Sequence, residues 1–460
     1  MRWCREAQST RRNEDISPNS ERAHLPDQHL KTQARIPRRR WRIAWLLGVG
    51  VLVNYFDRVN LSVSHQALFR DFGVSEVMFG YLSGAYNLTY AFCQLPIGVV
   101  LDRFGVRRIG RIGTFLWSAA SFAAAITPNL SGLFAARFLL GIGEAPTFPA
   151  NAKAIGAWFP SRERSFATSL FDAAAKFASV IGIPLMGVVL IKAGWRASFA
   201  LTGVISFAYF LLFSKIYRDP GDDAPLSDEE RDYIETEEQN PDQKAPAIRA
   251  PSTLLSLIGQ RKVLGLALGF GAYNYTFYLL LTWLPSYFSM ALHIDLLHSF
   301  FYTAVPWTFA TFTDLAIGGW LVDYLVQHGW NANRVRRVVL IGGTTCGLGI
   351  LGAAQAHEPT QALIWISISI GGLSAAAPVG WSIPSLIVGQ NDVGKVGGIM
   401  NFSSQISGIC APILTGYLVS AFHSYAWVFG ISAAYLAIGV AGYAFLLGRI
   451  EPVHRIGEAG

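Results

Sequence analysis

Seven charged side chains fall where the sequence is otherwise apolar: Asp57, Arg58, Arg137, Glu144, Asp172, Lys176 and Asp314. Each isolated charge inside a bilayer costs at least about 2.5 to 3.5 kcal/mol on insertion scales, so a chain keeps such charges for a pair or for a task. A guanidinium facing a cavity can hold a carboxylate by two parallel hydrogen bonds. A buried carboxylate can keep or release a proton according to its surroundings. Asp57 and Arg58 are neighbours, so on a helix they point about 100° apart and share one partner poorly. Arg58 reads as an anion clamp and Asp57 as a proton site. Arg137 and Glu144 lie seven residues apart, on one helix face and about 10 Å apart along its axis. That spacing allows a second clamp with a second proton site, or an arginine that only neutralises Glu144 or Asp57. Asp172 and Lys176 have the order and spacing of an ion pair within one helix; Lys176 could instead bind a second carboxylate. For Asp314 the choice is between a hydrogen bond to Thr311, Thr313 or backbone and a coupling role. In the second half, Trp307, Trp381, Ser382, Ser385, Asn401, Ser404 and Gln405 sit on Gly-rich or Pro-broken segments, which suits a hydroxyl-rich ligand and equally suits plain packing.

These side chains need a membrane scaffold to position them. Of the 460 residues, 52% are hydrophobic and 15% charged, against roughly 25% charged in a soluble domain. Mean hydropathy is +0.34, and the apolar residues fall in long blocks. At about 20 apolar residues per crossing, helices are expected near 43–64, 77–99, 109–127, 130–152, 165–191 and 195–217, and again near 263–290, 298–322, 336–355, 361–387, 396–421 and 425–448. The fold class is therefore an all-α membrane protein with twelve transmembrane helices in two six-helix bundles, 43–217 and 263–448. Between them, residues 218–262 form an acidic linker, with a short helix expected over Ser227–Glu238 because Ser227 can cap it and acids fill its first turn. Residues 1–42 form a polar basic tail without the apolar run of a signal peptide. In it Arg38, Arg39, Arg40 and Arg42 beside Trp41 and Trp45 read as an anchor at the membrane interface. Residues 449–460 form a second tail.

The net charge of +7 would suit nucleic acid, but its distribution argues for a membrane instead. The loops of one side hold only Arg70, Lys192 and Arg196, while nearly all other Lys and Arg lie in the opposite loops and tails, which places both termini in the cytoplasm. Cys4, Cys93, Cys346 and Cys410 show no paired spacing, so neither a disulfide nor a metal site is expected. The scattered histidines form no HExxH pair and no nucleophile motif is present, which argues against an enzyme. No cofactor is implied.

A repeat supports the two bundles. Gly98-Val-Val-Leu-Asp102 ends the second helix and continues as Arg103-Phe-Gly105-Val-Arg107-Arg108; Gly319-Trp-Leu-Val-Asp323 ends the eighth, with Arg334, Arg336 and Arg337 farther on. This doubled motif resembles the signature of the major facilitator superfamily over about residues 40–450, and the motif would gate the cytoplasmic side. Within it, Asn54-Tyr55-Phe-Asp57-Arg58-Val-Asn60, Tyr90-x-x-x-Gln94-x-Pro96 and Arg137 to Glu144-Ala-Pro146 are similar to the anion:cation symporter family, which includes bacterial sugar-acid and hexuronate carriers and the animal sialin and vesicular glutamate transporters.

The resemblance implies two pseudo-symmetric bundles acting as a monomer in a bacterial inner membrane. They would import a small carboxylate with protons by alternating access. It implies substrate contacts for Tyr55, Arg58, Tyr90, Arg137, Trp381 and Gln405 and proton coupling through Asp57 and Glu144. Gln405 stands where that family has Asn, and Asp172 where many sugar-acid carriers have Asn. The departure at Asp172 and Lys176 points to a second carboxylate or a different head group. Anion exchange, efflux on the same fold, and an aromatic acid as cargo remain alternatives, since fold does not fix function.

Overall fold

Two single glycines reverse the direction of the longest helices. The computed structural model describes residues 37–238, 254–356, 358–388 and 390–451, and among them every regular element is helical. Helix α1 (Arg39–Val63) is followed by a short α2 (His65–Phe72). Next, α3 (Glu76–Ile126) turns at Gly105, with φ 76° and ψ 161°. Helices α4 (Leu130–Glu144) and α5 (Thr147–Trp158) follow, then α6 (Ser161–Ile216), which turns at Gly194 with φ 83° and ψ 170°. A side chain at either position would clash with its own backbone, so only glycine makes so short a reversal at low cost. The helices expected over 77–99 and 109–127, and over 165–191 and 195–217, are thus joined by one-residue turns rather than loops. The helix expected over 130–152 is instead interrupted at Pro146, which lacks an N–H, and resumes as α5 as far as Trp158.

Helix α7 (Asp228–Glu238) begins as expected: Ser227 Oγ accepts the Glu230 N–H at 3.2 Å. Beyond α8 (Leu254–Ile258) comes α9 (Arg261–Ser286), extended by a π-helical turn over Tyr287–Ala291. Helix α10 (Leu296–Thr313) passes through a π-helical stretch, Asp314–Leu321, into α11 (Val322–Gln327). The remainder are α12 (Ala332–Gly347), α13 (Ile350–Ala354), α14 (Pro359–Ser382), α15 (Pro384–Ile387), α16 (Gln390–Phe422) and α17 (Ala426–Ala441). The helix expected over 361–387 therefore ends at Ser382, ahead of Pro384. Among the described residues, eight stretches are long and apolar enough to cross a membrane by length and composition. Neither α1 nor α4 is among them, and these two carry Asp57, Arg58, Arg137 and Glu144.

Helix α1 packs along α6 and α3 along α4, while α9 packs along α16 and α17, and α12 along α14. The main contacts joining the earlier helices to the later ones are α3 with α16, α6 with α10, and α1 with α9. Small residues let the first pair approach closely, as in membrane helix packing generally; a Cβ on Gly80 would lie 2.6 Å from the Pro412 carbonyl oxygen. At one end of the molecule hydrogen bonds join the two sets. There Ser62 Oγ donates to the Thr282 carbonyl at 2.7 Å, His65 Nδ1 meets Ser286 Oγ at 2.8 Å, and Gln66 Nε2 donates to Ser289 Oγ at 2.8 Å. The buried His65 ring stacks on Phe79 and meets Trp283 edge-on, with Glu76 3.1 Å from its Nε2. Toward the arginine-rich opposite end, Trp381, Gly398 and Phe402 are exposed.

Two of the four arginines expected to anchor the chain at the membrane surface, Arg39 and Arg40, are instead paired within the protein, while Arg38 and Arg42 are exposed. Arg40 is buried and pairs with Glu163 at 2.8 Å and Glu230 at 3.0 Å, while Arg39 pairs with Asp223 at 2.8 Å. Glu230 also accepts the backbone N–H groups of Arg39 and Arg40, each at 3.0 Å. A carboxylate from α7 therefore caps the start of α1, satisfying donors that a helix cannot satisfy itself. Trp41 packs edge-on against Phe159 and Phe166; Trp45 remains exposed.

Candidate functional site

Asn54 and Arg58 are one helical turn apart on α1, and the Arg58 Nη2 donates to Asn54 Oδ1 at 3.0 Å. The same guanidinium reaches across to α4, where Glu144 Oε2 lies 3.3 Å away. Both partners are buried. Three rings surround the guanidinium, with its carbon 4.3 Å from the centre of Tyr55, 4.9 Å from Tyr86 and 5.5 Å from Tyr90, a cage that stabilises a desolvated cation. Tyr86 and Tyr90 share a face of α3 by their four-residue spacing, and the Tyr86 hydroxyl donates to Glu144 Oε2 at 2.6 Å.

Asp57, pointing the other way from α1, is held separately. Ser121 Oγ donates to its Oδ1 at 2.5 Å and Ser206 Oγ to its Oδ2 at 3.2 Å. Arg137 contributes by a different route: its Nη1 donates to the Asp57 carbonyl oxygen at 3.3 Å, and its charge lies 5.2 Å from the Tyr86 ring centre. The sequence leaves Arg137 either as a second clamp or as the neutraliser of Glu144 or Asp57; in the structure Glu144 neutralises Arg58 instead, and the Arg137 Nε stays buried without an acceptor. Arg58, Ser62, Tyr86 and Arg137 line a cavity closed on the far side by Tyr278 and Thr282. Its ≈ 20 Å³ admits about one water, so a larger ligand requires these groups to part.

Asp314 finds its partner in Lys176, at 2.5 Å. The expected hydrogen bonds to Thr311 and Thr313 are not made: those hydroxyls donate to the carbonyls of Trp307 and, among others, Gly371. Lys176 also holds Asp172 at 2.8 Å, so the i, i+4 pair exists and is extended across α6 and α10 into a triad. Its ammonium is shared by two carboxylates, which leaves a second carboxylate of a ligand no vacant clamp in this arrangement. Asp314 opens the π-helical stretch, an irregularity frequent at functional positions.

Gln405 is buried with its Oε1 unpartnered, and Trp381 lies edge-on to Phe270 at 4.9 Å, half exposed. Arg58 bonds to Asn54 and Glu144 rather than to either, although Asn401 nearby donates to Gln94 Oε1 at 3.3 Å. Of the doubled motif, Gly98 lies on α3, Gly105 makes the turn, Arg103 is exposed and Arg107 half-buried; Gly319 lies in the π-helical stretch and Asp323 is exposed. The Asp102 side chain, expected beside the arginines, falls outside the described residues. Lys153 Nζ donates to the Leu101 carbonyl at 3.1 Å, a cation on a helix end. No role follows from sequence for Asn54, which enters only within its motif, nor for Tyr86, Ser121, Ser206 and Tyr278. For Asn54 and Tyr86 a signal existed, each lying four residues before a residue with an expected role.

The sequence profile of the Major Facilitator Superfamily matches residues 47–408 and 328–459. An uncharacterized transporter of Bacillus subtilis (strain 168) is 38% identical over 92% of this chain and 98% of its own length. The D-galactonate transporter of Escherichia coli O6:H1 is 31% identical over 91% and 98%. Among solved structures, a bacterial homolog of the human lysosomal transporter Spinster, in an inward-facing and unoccupied conformation, superposes with a TM-score of 0.69 at 18% identity, covering 90% of this chain and 97% of that one.

Proposed function

The chain belongs to the major facilitator superfamily and is an integral membrane transporter of a small molecule, and from that premise we propose that it imports a sugar acid or related carboxylate together with protons. The observation that carries the reading is Arg58, a buried guanidinium in a cage of three tyrosines whose anionic partner, Glu144, is itself a proton acceptor. Protonation of Glu144 releases Arg58 for a substrate carboxylate, which the planar fork holds by two bonds. Proton and substrate then each take one partner of a single charge pair, so that binding of one favours the other, which couples them. The galactonate relative supports the substrate class. Asp57, with Arg137 on its backbone, is the second proton site, and Lys176, Asp172 and Asp314 form a contact between the moving parts. Tyr55, Tyr90, Trp381 and Gln405 complete the lining when the site opens.

In this reading twelve crossings form two bundles, 43–217 and 263–448, and rock about the site as alternating access requires. Both termini face the cytoplasm of a bacterial cell, which makes the sealed end around His65 the outside. The carrier works as a monomer. Proteoliposome uptake of a panel of sugar acids and aromatic acids, with an imposed proton gradient, tests this. Wild type is expected to accumulate a sugar acid only with the gradient, and Arg58→Ala and Glu144→Gln to lose that accumulation. Full uptake by both variants sinks the mechanism, and uptake indifferent to the gradient replaces symport by exchange.

A further inference from the structure

A larger cavity lies well away from the buried charges, at the arginine-rich end. This cleft of ≈ 700 Å³ is lined by Arg334, Arg337 and Arg449, with Val338, Ile341 and Gly342 as its floor. Residues 334, 337–338 and 341–342 of α12 recur at three- and four-residue intervals and so share one helix face. Along that face the character changes from cationic at the helix start to apolar farther in. Val338 is 65% exposed, and a Cβ on Gly342 would meet nothing within 4 Å. The face is therefore an open groove running from a charged rim toward the depth of the membrane.

The rim carries uncompensated positive charge. Its one acid, Glu451, stands 4.0 Å from Arg449, with both side chains largely exposed. Among the described residues no acid pairs with Arg334 or Arg337, and Arg337 Nε is buried without an acceptor. Asn331 Oδ1 caps α12 by accepting the Arg334 N–H at 3.0 Å, and the positive end of the helix adds to the arginines. Planar guanidinium forks beside a helix start match a phosphate group. A water-borne anion has no use for the apolar floor, whereas a phospholipid fills both parts. A zwitterionic headgroup would bring its own cation to the arginines, so the charge excess selects an anionic one.

We propose that this cleft binds the phosphate of an anionic phospholipid, one acyl chain lying over Val338, Ile341 and Gly342. Native mass spectrometry of the purified full chain, given equal amounts of phosphatidylglycerol and phosphatidylcholine with identical acyl chains, tests it. Charges near an anionic surface favour binding by about five-fold each, so wild type is expected to retain phosphatidylglycerol in preference by roughly tenfold or more. Arg334→Gln/Arg337→Gln removes that preference. Gly342→Phe keeps the charges but fills the groove, and it is expected to remove bound lipid while leaving the lipid-free unfolding temperature unchanged. On wild type, which requires no variant to fold, excess soluble glycerol phosphate is expected not to displace the lipid. Equal retention of the two lipids by wild type, or an undiminished preference in the double arginine variant, overturns the site. Displacement by glycerol phosphate, with Gly342→Phe binding normally, overturns its assignment to a lipid.

Discussion

Arg58 and Glu144 neutralise each other across α1 and α4, so removing either charge alone strands the other. Breaking a buried pair costs about 3 to 5 kcal/mol. Arg58→Gln is accordingly expected to lower the unfolding temperature in detergent sharply, and Glu144→Gln added to it to restore most of the loss. Arg58→Lys, which keeps the charge but not the fork, is expected to stay folded while uptake kcat/KM falls about 10- to 100-fold, the worth of a charge-assisted bond of roughly 1.5 to 3 kcal/mol. Lys176 predicts an asymmetry of another kind. Its partner Asp314 is almost fully buried, whereas the Asp172 side chain is 22% exposed. Lys176→Gln is expected to destabilise strongly and Lys176→Gln/Asp314→Asn to recover, while Asp172→Asn changes stability by less than about 1 kcal/mol. Equal effects at Asp172 and Asp314 would mean that Lys176 does not discriminate between them. The charges themselves and the divergence of Asp57 from Arg58 were legible in the sequence, because both follow from composition and a 3.6-residue turn. The pairing of Arg58 on α1 with Glu144 on α4, and the reach of Lys176 to Asp314, were not, because spacing along one helix says nothing of which neighbour it faces.

Helix ends show the same division between local and long-range information. Ser227 capping α7 was readable three residues at a time, and the structure makes that bond. That Glu230 of the same helix would cap α1, 190 residues away in sequence, has no local signature, and the arginines it holds read instead as a membrane anchor. Loss of a cap costs about 0.5 to 2 kcal/mol, so Glu230→Ala, which also strips a charge from Arg40, is expected at or above the upper figure in thermal unfolding. Glu230→Gln retains acceptors for the backbone N–H groups and is expected to cost less. If the two variants unfold alike, the ion pair rather than the cap carries the effect. The turns at Gly105 and Gly194 look like ordinary loops in sequence because the apolar blocks beside them end in polar residues. Only their φ values of 76° and 83° reveal that one residue makes each reversal. Alanine at either is expected to destabilise by roughly 1 to 2 kcal/mol, a penalty that Gly98→Ala, where a Cβ meets nothing, avoids.

For the whole molecule, the imbalance of Lys and Arg distinguishes its two ends from sequence alone, but which end is sealed depends on contacts between distant helices. The sealed end joins α1 and α2 to α9 and its π-helical extension through Ser62 with Thr282, His65 with Ser286 and Gln66 with Ser289. Each is a single hydrogen bond, individually worth about 0.5 to 1.5 kcal/mol net, which suits a seal that must open. If transport proceeds by rocking, these partners separate once in every cycle, and a covalent link between them stops the cycle without touching Arg58. Gln66→Cys/Ser289→Cys, treated with a short bifunctional thiosulfonate reagent, is therefore expected to lose uptake, and reductant is expected to restore it. Cys4, Cys93, Cys346 and Cys410 remain in the chain, so wild type and each single variant given the same reagent provide the baseline and are expected to transport. A cross-linked protein that carries substrate at the wild-type rate would show that this end stays shut throughout, and that the path to Arg58 runs from one side only.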